Sequence, residues 1–208
     1  GGGSSSYYSS MDENVVYGGG YSGVLTPASN INEGGVYADP TMLVDIEVDI
    51  ERSAIDVVKF INCFNAIPDA GSTCSIEIFA DIPVDSDPNK LFDLSTQFPG
   101  HAFIQLKKSN GNKSAIQNLG FYPKTDWKSI LTTAPVEGKF LDDGGHEFNA
   151  SLKMSVSPEN FKSILTEVLY LARFIKYDVD EYNCTDFALD VFNKVRVPKL
   201  EIPLYDIP

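Results

Sequence analysis

Tyr182-Asn183-Cys184-Thr185-Asp186-Phe187-Ala188-Leu189-Asp190-Val191-Phe192-Asn193 is the stretch on which the reading of this chain turns. Asn183 suits a helix N-cap, because its side-chain oxygen can accept a backbone N–H that has no intrahelical acceptor. Asp186, three positions on, can return a bond to the Asn183 N–H in a capping-box-like exchange. The helix is therefore expected to begin at Cys184. Unpaired N–H groups and the positive dipole end gather there, which favours a thiolate and lowers the thiol pKa. The same spacing has a plainer meaning. Cys184, Phe187, Ala188, Val191, Phe192 and Val195 form one apolar helical stripe, in which cysteine serves as a small core residue.

A nucleophilic cysteine needs a base, and a neutral imidazole can take the thiol proton and later return it to a leaving group. Pro99-Gly100-His101-Ala102-Phe103-Ile104 opens a strand read over residues 101–107. Ser109-Asn110-Gly111-Asn112 follows, carrying the Asn-Gly hairpin signal, and a return strand is read over 113–122. With Asn110-Gly111 as a two-residue turn, Ser109 pairs with Asn112, Phe103 with Asn118 and His101 with Gly120. His101 and Asn118 then share a face as diagonal neighbours. Asn118 is the candidate to orient the imidazole, and a one-residue change of register selects Gln117 instead. His146, in phase with Phe148, Ala150, Leu152 and Met154, reads as a strand-end residue near the core.

The Asn-Cys-x-x-Phe helix start, preceded by a His-bearing strand, resembles the circularly permuted papain-like hydrolases. These are the lecithin:retinol acyltransferase group, the PPPDE desumoylating peptidases and the permuted NlpC-type bacterial amidases. In papain and unpermuted NlpC enzymes the cysteine precedes the histidine; here His101 comes first, as in the permuted branch. The resemblance spans roughly residues 100–195. It implies a thiol hydrolase with Cys184 as nucleophile and His101 as base and acid, acting on an amide, isopeptide or (thio)ester. Related enzymes also place a polar residue on the strand after the histidine, often a second His, where this chain has Asn118. Behind a Gly- and Ser-rich leader, such a domain looks like an effector or toxin module of a large secreted bacterial protein. The implied partners are a peptide, peptidoglycan or acyl substrate, and an immunity or carrier protein if it is a toxin. The competing classes are an acyltransferase and a non-catalytic binding domain on the same fold.

At 208 residues with 43% apolar side chains, the chain can bury one sizeable core. A formal charge of -13 opposes binding to nucleic acid or anionic membranes, which requires basic side chains to neutralise phosphates. No run is long and apolar enough to span a bilayer. Three cysteines without metal-ligand spacing and only two histidines make a zinc cage hard to assemble, so no metal or cofactor is expected. A Cys63–Cys74 disulfide is open to the chain, but three reduced thiols are favoured, because Cys63 fits a helix face and Cys74 a strand start. The chain opens on Gly1 with no recognisable signal peptide, which reads as a fragment of a longer polypeptide or a processed product.

Residues 1–40 hold nine of the sixteen glycines and no basic residue, and read as a linker or extended arm ahead of a domain at 41–208. Val44, Ile46, Val48 and Ile50 alternate with Asp45, Glu47 and Asp49, the period-two pattern of a half-buried strand. The acidic side of that strand reads as an exposed face rather than a calcium site. A helix is read over 53–67 and a strand over 74–83, then a polar loop over 85–99 with a helical turn near 89–94. Residues 123–141 form a segment around Trp127 that includes a short helix near 125–131. A strand follows at 146–156, and Ser157-Pro158-Glu159 starts a helix with an N-cap, a proline at N1 and an acidic first turn. The fold class is α+β, an antiparallel sheet packed against the Cys184 helix.

Overall fold

The strands His101–Asn110 and Lys113–Pro123, buried on both faces over residues 101–104 and 117–122, form a hairpin at the centre of the molecule. The structure is a computed structural model that describes residues 14–17, 23–24, 52–84, 100–124, 134–179, 181–197 and 199–200. The strand read over 43–50 with its acidic face, the loop over 85–99, Trp127, most of the leader and residues 201–208 lie outside the described residues.

The elements run β1 (Asn14–Tyr17), β2 (Gly23–Val24), α1 (Val57–Ile61), a 3-10 turn (Asn62–Ala66), β3 (Thr73–Asp81), β4 (His101–Asn110), β5 (Lys113–Pro123), β6 (Gly138–Asp142), β7 (Glu147–Phe148), β8 (Ala150–Val156), α2 (Pro158–Phe174) and α3 (Cys184–Asn193). The main sheet is antiparallel in the order β8-β3-β4-β5-β6, and β1 pairs along the outer edge of β8. Part of the segment read as an extended arm therefore runs beside the sheet, while β2 pairs with β7. The protein is α+β, as its sequence pattern indicates.

One face of the sheet carries the core. Ile76 of β3, Ile104 and Leu106 of β4, and Leu119 and Phe121 of β5 meet Phe187, Ala188, Val191 and Phe192 of α3, all at most 1% exposed. The apolar stripe of α3 is thus buried as expected, each large side chain adding about 1.5–3 kcal/mol by leaving water. The Phe187 ring lies 5.1 Å from that of Phe140 and 5.8 Å from that of Phe121, which clamps the helix to β5 and β6. α2 starts as read, with the Ser157 side chain accepting from Asn160 N and Pro158 at N1. It buries Phe161, Ile164, Val168 and Leu171.

Three expectations are corrected. The helix read over 53–67 is α only at Val57–Ile61, because Asp56 caps it and Ile55 N–H is drawn instead to the Phe140 carbonyl at 2.9 Å. The strand over 146–156 breaks at Asn149, whose N–H donates to Ala80 O at 2.9 Å while its side-chain oxygen accepts from Ile82 N at 2.8 Å. The hairpin turns one residue later than read: Asn110 pairs with Lys113, and Gly111 takes the φ of 58° that suits glycine. Every pair thereby moves by two, so that Phe103 faces Gly120 and Gln105 faces Asn118. Each residue keeps its face, but its partner changes. All three cysteines are free. Among the described residues no helix is long and apolar enough to cross a membrane.

Candidate functional site

Cys184 is the first residue of α3, and its capping box is present. The Asn183 side chain accepts from Thr185 N at 2.8 Å, and the Asp186 carboxylate accepts from Asn183 N at 2.9 Å. The chain reaches this cap through a narrow bridge in which Asp178 and Tyr182 exchange N–H···O bonds of 2.8 and 3.0 Å. Asn183 Nδ2 ties the cap back to Val179 O at 3.1 Å. The start of α3 is thereby placed at the end of the sheet where β4 begins.

His101 is the first residue of β4 and lies beside Cys184, each the foremost charge acting on the other. The imidazole is packed among rings, its centroid 4.4 Å from that of Tyr122, 5.1 Å from His146 and 5.7 Å from Phe103. Its Nε2 is 3.0 Å from Asp143 Oδ2. That leaves Nδ1 as the nitrogen to exchange a proton with the sulfur.

Asp143 follows β6 directly and is fully buried. Its second oxygen, Oδ1, accepts from Tyr122 Oη at 2.9 Å and from Arg52 at 3.1 Å. Its backbone N–H donates to Asn118 O at 3.3 Å, and its carbonyl accepts from His146 N at 3.0 Å. Arg52 also donates to the Asp142 carbonyl. Burial alone would push the Asp143 carboxyl up, but the hydrogen bond and charge of His101, with smaller help from His146 and Arg52, hold it below the usual carboxylate range.

The electrostatics of the cysteine and histidine are reciprocal. Burial disfavours a charged Cys184, yet the His101 charge and hydrogen bond, the Ala102 N–H and the Thr185 side chain outweigh it and pull the thiol down. Burial likewise opposes a charged His101. The Cys184 thiolate and the Asp143 carboxylate prevail, and the imidazole is pushed up to about 10. Each charge of the pair thus supports the other, tilting it toward thiolate and imidazolium. Burial pushes Cys63 and Cys74 the other way, toward the protonated thiol.

Of the four residues singled out in the sequence, Cys184 and His101 come together, and Asn118 and Gln117 do not join them. The two-residue shift of the hairpin sets Asn118 opposite Gln105, whose Nε2 donates to its Oδ1 at 2.9 Å. It keeps the His101 face but lies four residues down β5 from Tyr122, about 13 Å along a strand. Gln117, on the other face, donates to Phe60 O at 2.5 Å and Cys63 Sγ at 3.2 Å. The carboxylate at the histidine is Asp143, which the sequence reading passed over. His146 is buried near the core as read, and its ring stands within the same cluster.

Tyr177 was also passed over. It pairs with Val136 across an isolated bridge, is 8% exposed, and its hydroxyl lies close enough to Cys184 for the sulfur to act on its titration. Burial and the adjacent sulfur raise its pKa well above the ordinary value, which keeps the hydroxyl protonated and able to donate. Among the described residues no group of three His, Cys, Asp or Glu is arranged to hold a metal ion. No family model, curated protein or solved structure matches the chain.

Proposed function

We propose that this protein is a thiol hydrolase with a permuted papain-like arrangement, in which Cys184 is the nucleophile, His101 the general base and acid, and Asp143 the group that orients His101. The observation that carries the proposal is the chain of contacts from Cys184 through His101 to Asp143, with the thiol lowered and the imidazole raised together. Nucleophile, base and orienter linked in that order are what acyl transfer through sulfur requires. Support for the permuted architecture comes from the order of the parts: a His-bearing strand of an antiparallel sheet precedes the Cys-bearing helix.

In the reaction, the Cys184 thiolate attacks the carbonyl carbon of an amide, isopeptide or (thio)ester and pushes negative charge onto its oxygen. The Cys184 backbone N–H, at the start of α3, and the Tyr177 hydroxyl, beside the sulfur, are the donors we assign to that developing charge. His101 gives its Nδ1 proton to the leaving group as the tetrahedral centre collapses to a thioester. It then takes a proton from water, which attacks the thioester and releases the acid and the thiolate. Asp143 holds the ring and compensates its charge throughout and does not itself take the proton. A peptide or peptidoglycan-derived amide, met outside a producing bacterial cell, is the substrate setting that the resemblance favours, with an immunity or carrier protein as the macromolecular partner of a toxin module.

The test is competitive labelling with iodoacetamide below pH 7, followed by peptide mapping, beside turnover of a panel of acyl substrates. Cys184 is expected to label well ahead of Cys63 and Cys74, and Cys184→Ala to remove all turnover. Uniformly slow labelling of the three thiols, with no acyl substrate consumed, would favour a binding domain instead.

A further inference from the structure

We infer that Gly120 is a positioning residue: the space left by its absent side chain is the recess in which the Asp143 carboxylate meets the His101 ring. The inference rests on the reading of Cys184 and His101 as the reacting pair. Gly120 lies buried within β5, opposite Phe103. A Cβ added there would stand 1.8 Å from Asp143 Oδ2, 2.8 Å from Asp143 Cγ and 2.8 Å from His101 Nε2. It would collide with both atoms of the 3.0 Å bond between those residues. The Gly120 backbone is not in the left-handed region, so no turn or bulge calls for glycine at this position. Inside a strand, glycine gives up about 0.5–1 kcal/mol relative to alanine, and such a position marks a close approach of other groups.

Asp143 cannot move as a whole to clear an added methyl group and can yield only at Oδ2. Its N–H is tied to Asn118 O, two residues from Gly120 on the same strand, and its Oδ1 is held by Tyr122 and Arg52. A methyl group at position 120 would therefore swing Oδ2 away from Nε2 and leave the imidazolium without its carboxylate. The thiolate at Cys184, which leans on that imidazolium, would weaken in turn.

The experiment compares four chains, wild type, Gly120→Ala, Asp143→Ala and the double variant, by the pH profile of Cys184 alkylation and by thermal melting. Gly120→Ala is expected to move the profile to higher pH by about one unit or more, as Asp143→Ala does, and the double variant to move it no further than Asp143→Ala. If Gly120→Ala fails to fold, the double variant should recover most of the melting of Asp143→Ala, because the closest clash, with the carboxylate, is gone and only the approach to the His101 ring remains. A Gly120→Ala profile equal to wild type, or a double variant that adds the full melting loss of both single changes, would overturn the inference. Failure of the hydrolase reading shows separately, as slow wild-type labelling of Cys184. The melting comparison would still report whether residues 120 and 143 share one space.

Discussion

Replacing Asp143 by Asn keeps the shape of the side chain and removes its charge. His101 is raised from an ordinary 6.5 to about 10 against the opposition of burial. At about 1.4 kcal/mol per pKa unit, that rise represents on the order of 5 kcal/mol in favour of the imidazolium. Cys184 is its larger source and Asp143 the next. A share of about 2 kcal/mol for Asp143 agrees with the roughly 1.5–3 kcal/mol of a hydrogen bond to a charged group. The amide cannot replace it in either orientation. With its NH2 toward Nε2, two donors face each other; with its oxygen there, the NH2 meets Arg52 and the Tyr122 hydroxyl on the other side. Asp143→Asn should therefore move the pH profile of Cys184 alkylation upward by about 1.5 units. The assay is the second-order rate of Cys184 alkylation from pH 5 to 10, each chain scaled to its own high-pH plateau to remove differences in access. Superimposable profiles for Asp143→Asn and wild type would refute the reasoning, and so would a shift produced by Asn118→Ala instead.

Cys184→Ala and His101→Ala should each abolish hydrolysis with cooperative melting retained, and the double variant should be no worse than either, because the two act as a unit. Tyr177→Phe should lower kcat by roughly a hundred- to a thousandfold while leaving Cys184 alkylation measurable, as expected for loss of one oxyanion donor in a steady-state assay. Asn118→Ala should retain turnover and lose stability by about 1 kcal/mol in a denaturant titration, since its buried side chain bonds Gln105 and not His101. The stability contributed by the His101 charge should be complete below about 6.5 and lost as pH rises through about 10, because the folded value lies above the ordinary one. The Tm of wild type should accordingly fall more than that of His101→Gln between those limits. Asp143 has the opposite sign: its lowered carboxyl stabilises the fold above its ordinary 3.8, and that part is lost as pH falls through the folded value.

How much of this could be read from residues alone follows from the range of the interactions. The capping box at Asn183 and Asp186, the Ser157-Pro158 helix start and the buried stripe of α3 depend on neighbours within a turn or two, and all were legible. The hairpin was legible as a hairpin. Its register was not, because Asn110-Gly111 and Gly111-Asn112 both serve as two-residue turns, and the two choices put every side chain on the same face. Asp143 was missed for a different reason. Beside Asp142 and ahead of Gly144-Gly145 it reads as a solvated loop residue, and only the pairing of β6 with β5, over the gap at Gly120, brings it inside. Tyr177 owes its place to a lone bridge with Val136, for which no local pattern exists. The signal that could have pointed to Asp143 is Gly120 itself, an unexplained glycine in the middle of an apolar strand.

The three linked residues lie far apart along the chain, His101 and its carboxylate 42 positions from each other, and the cysteine arriving only with α3, after every strand of the main sheet. Until that last helix docks, Cys184 is an ordinary thiol with no partner to ionise it. If Cys184 is the proposed nucleophile, a growing or misfolded chain is chemically silent by this arrangement, and reactivity toward an alkylating agent becomes a measure of completed folding. Refolding followed by pulse labelling would show the fast-reacting sulfur appearing in step with the final cooperative phase, later than the secondary structure that any one segment forms by itself.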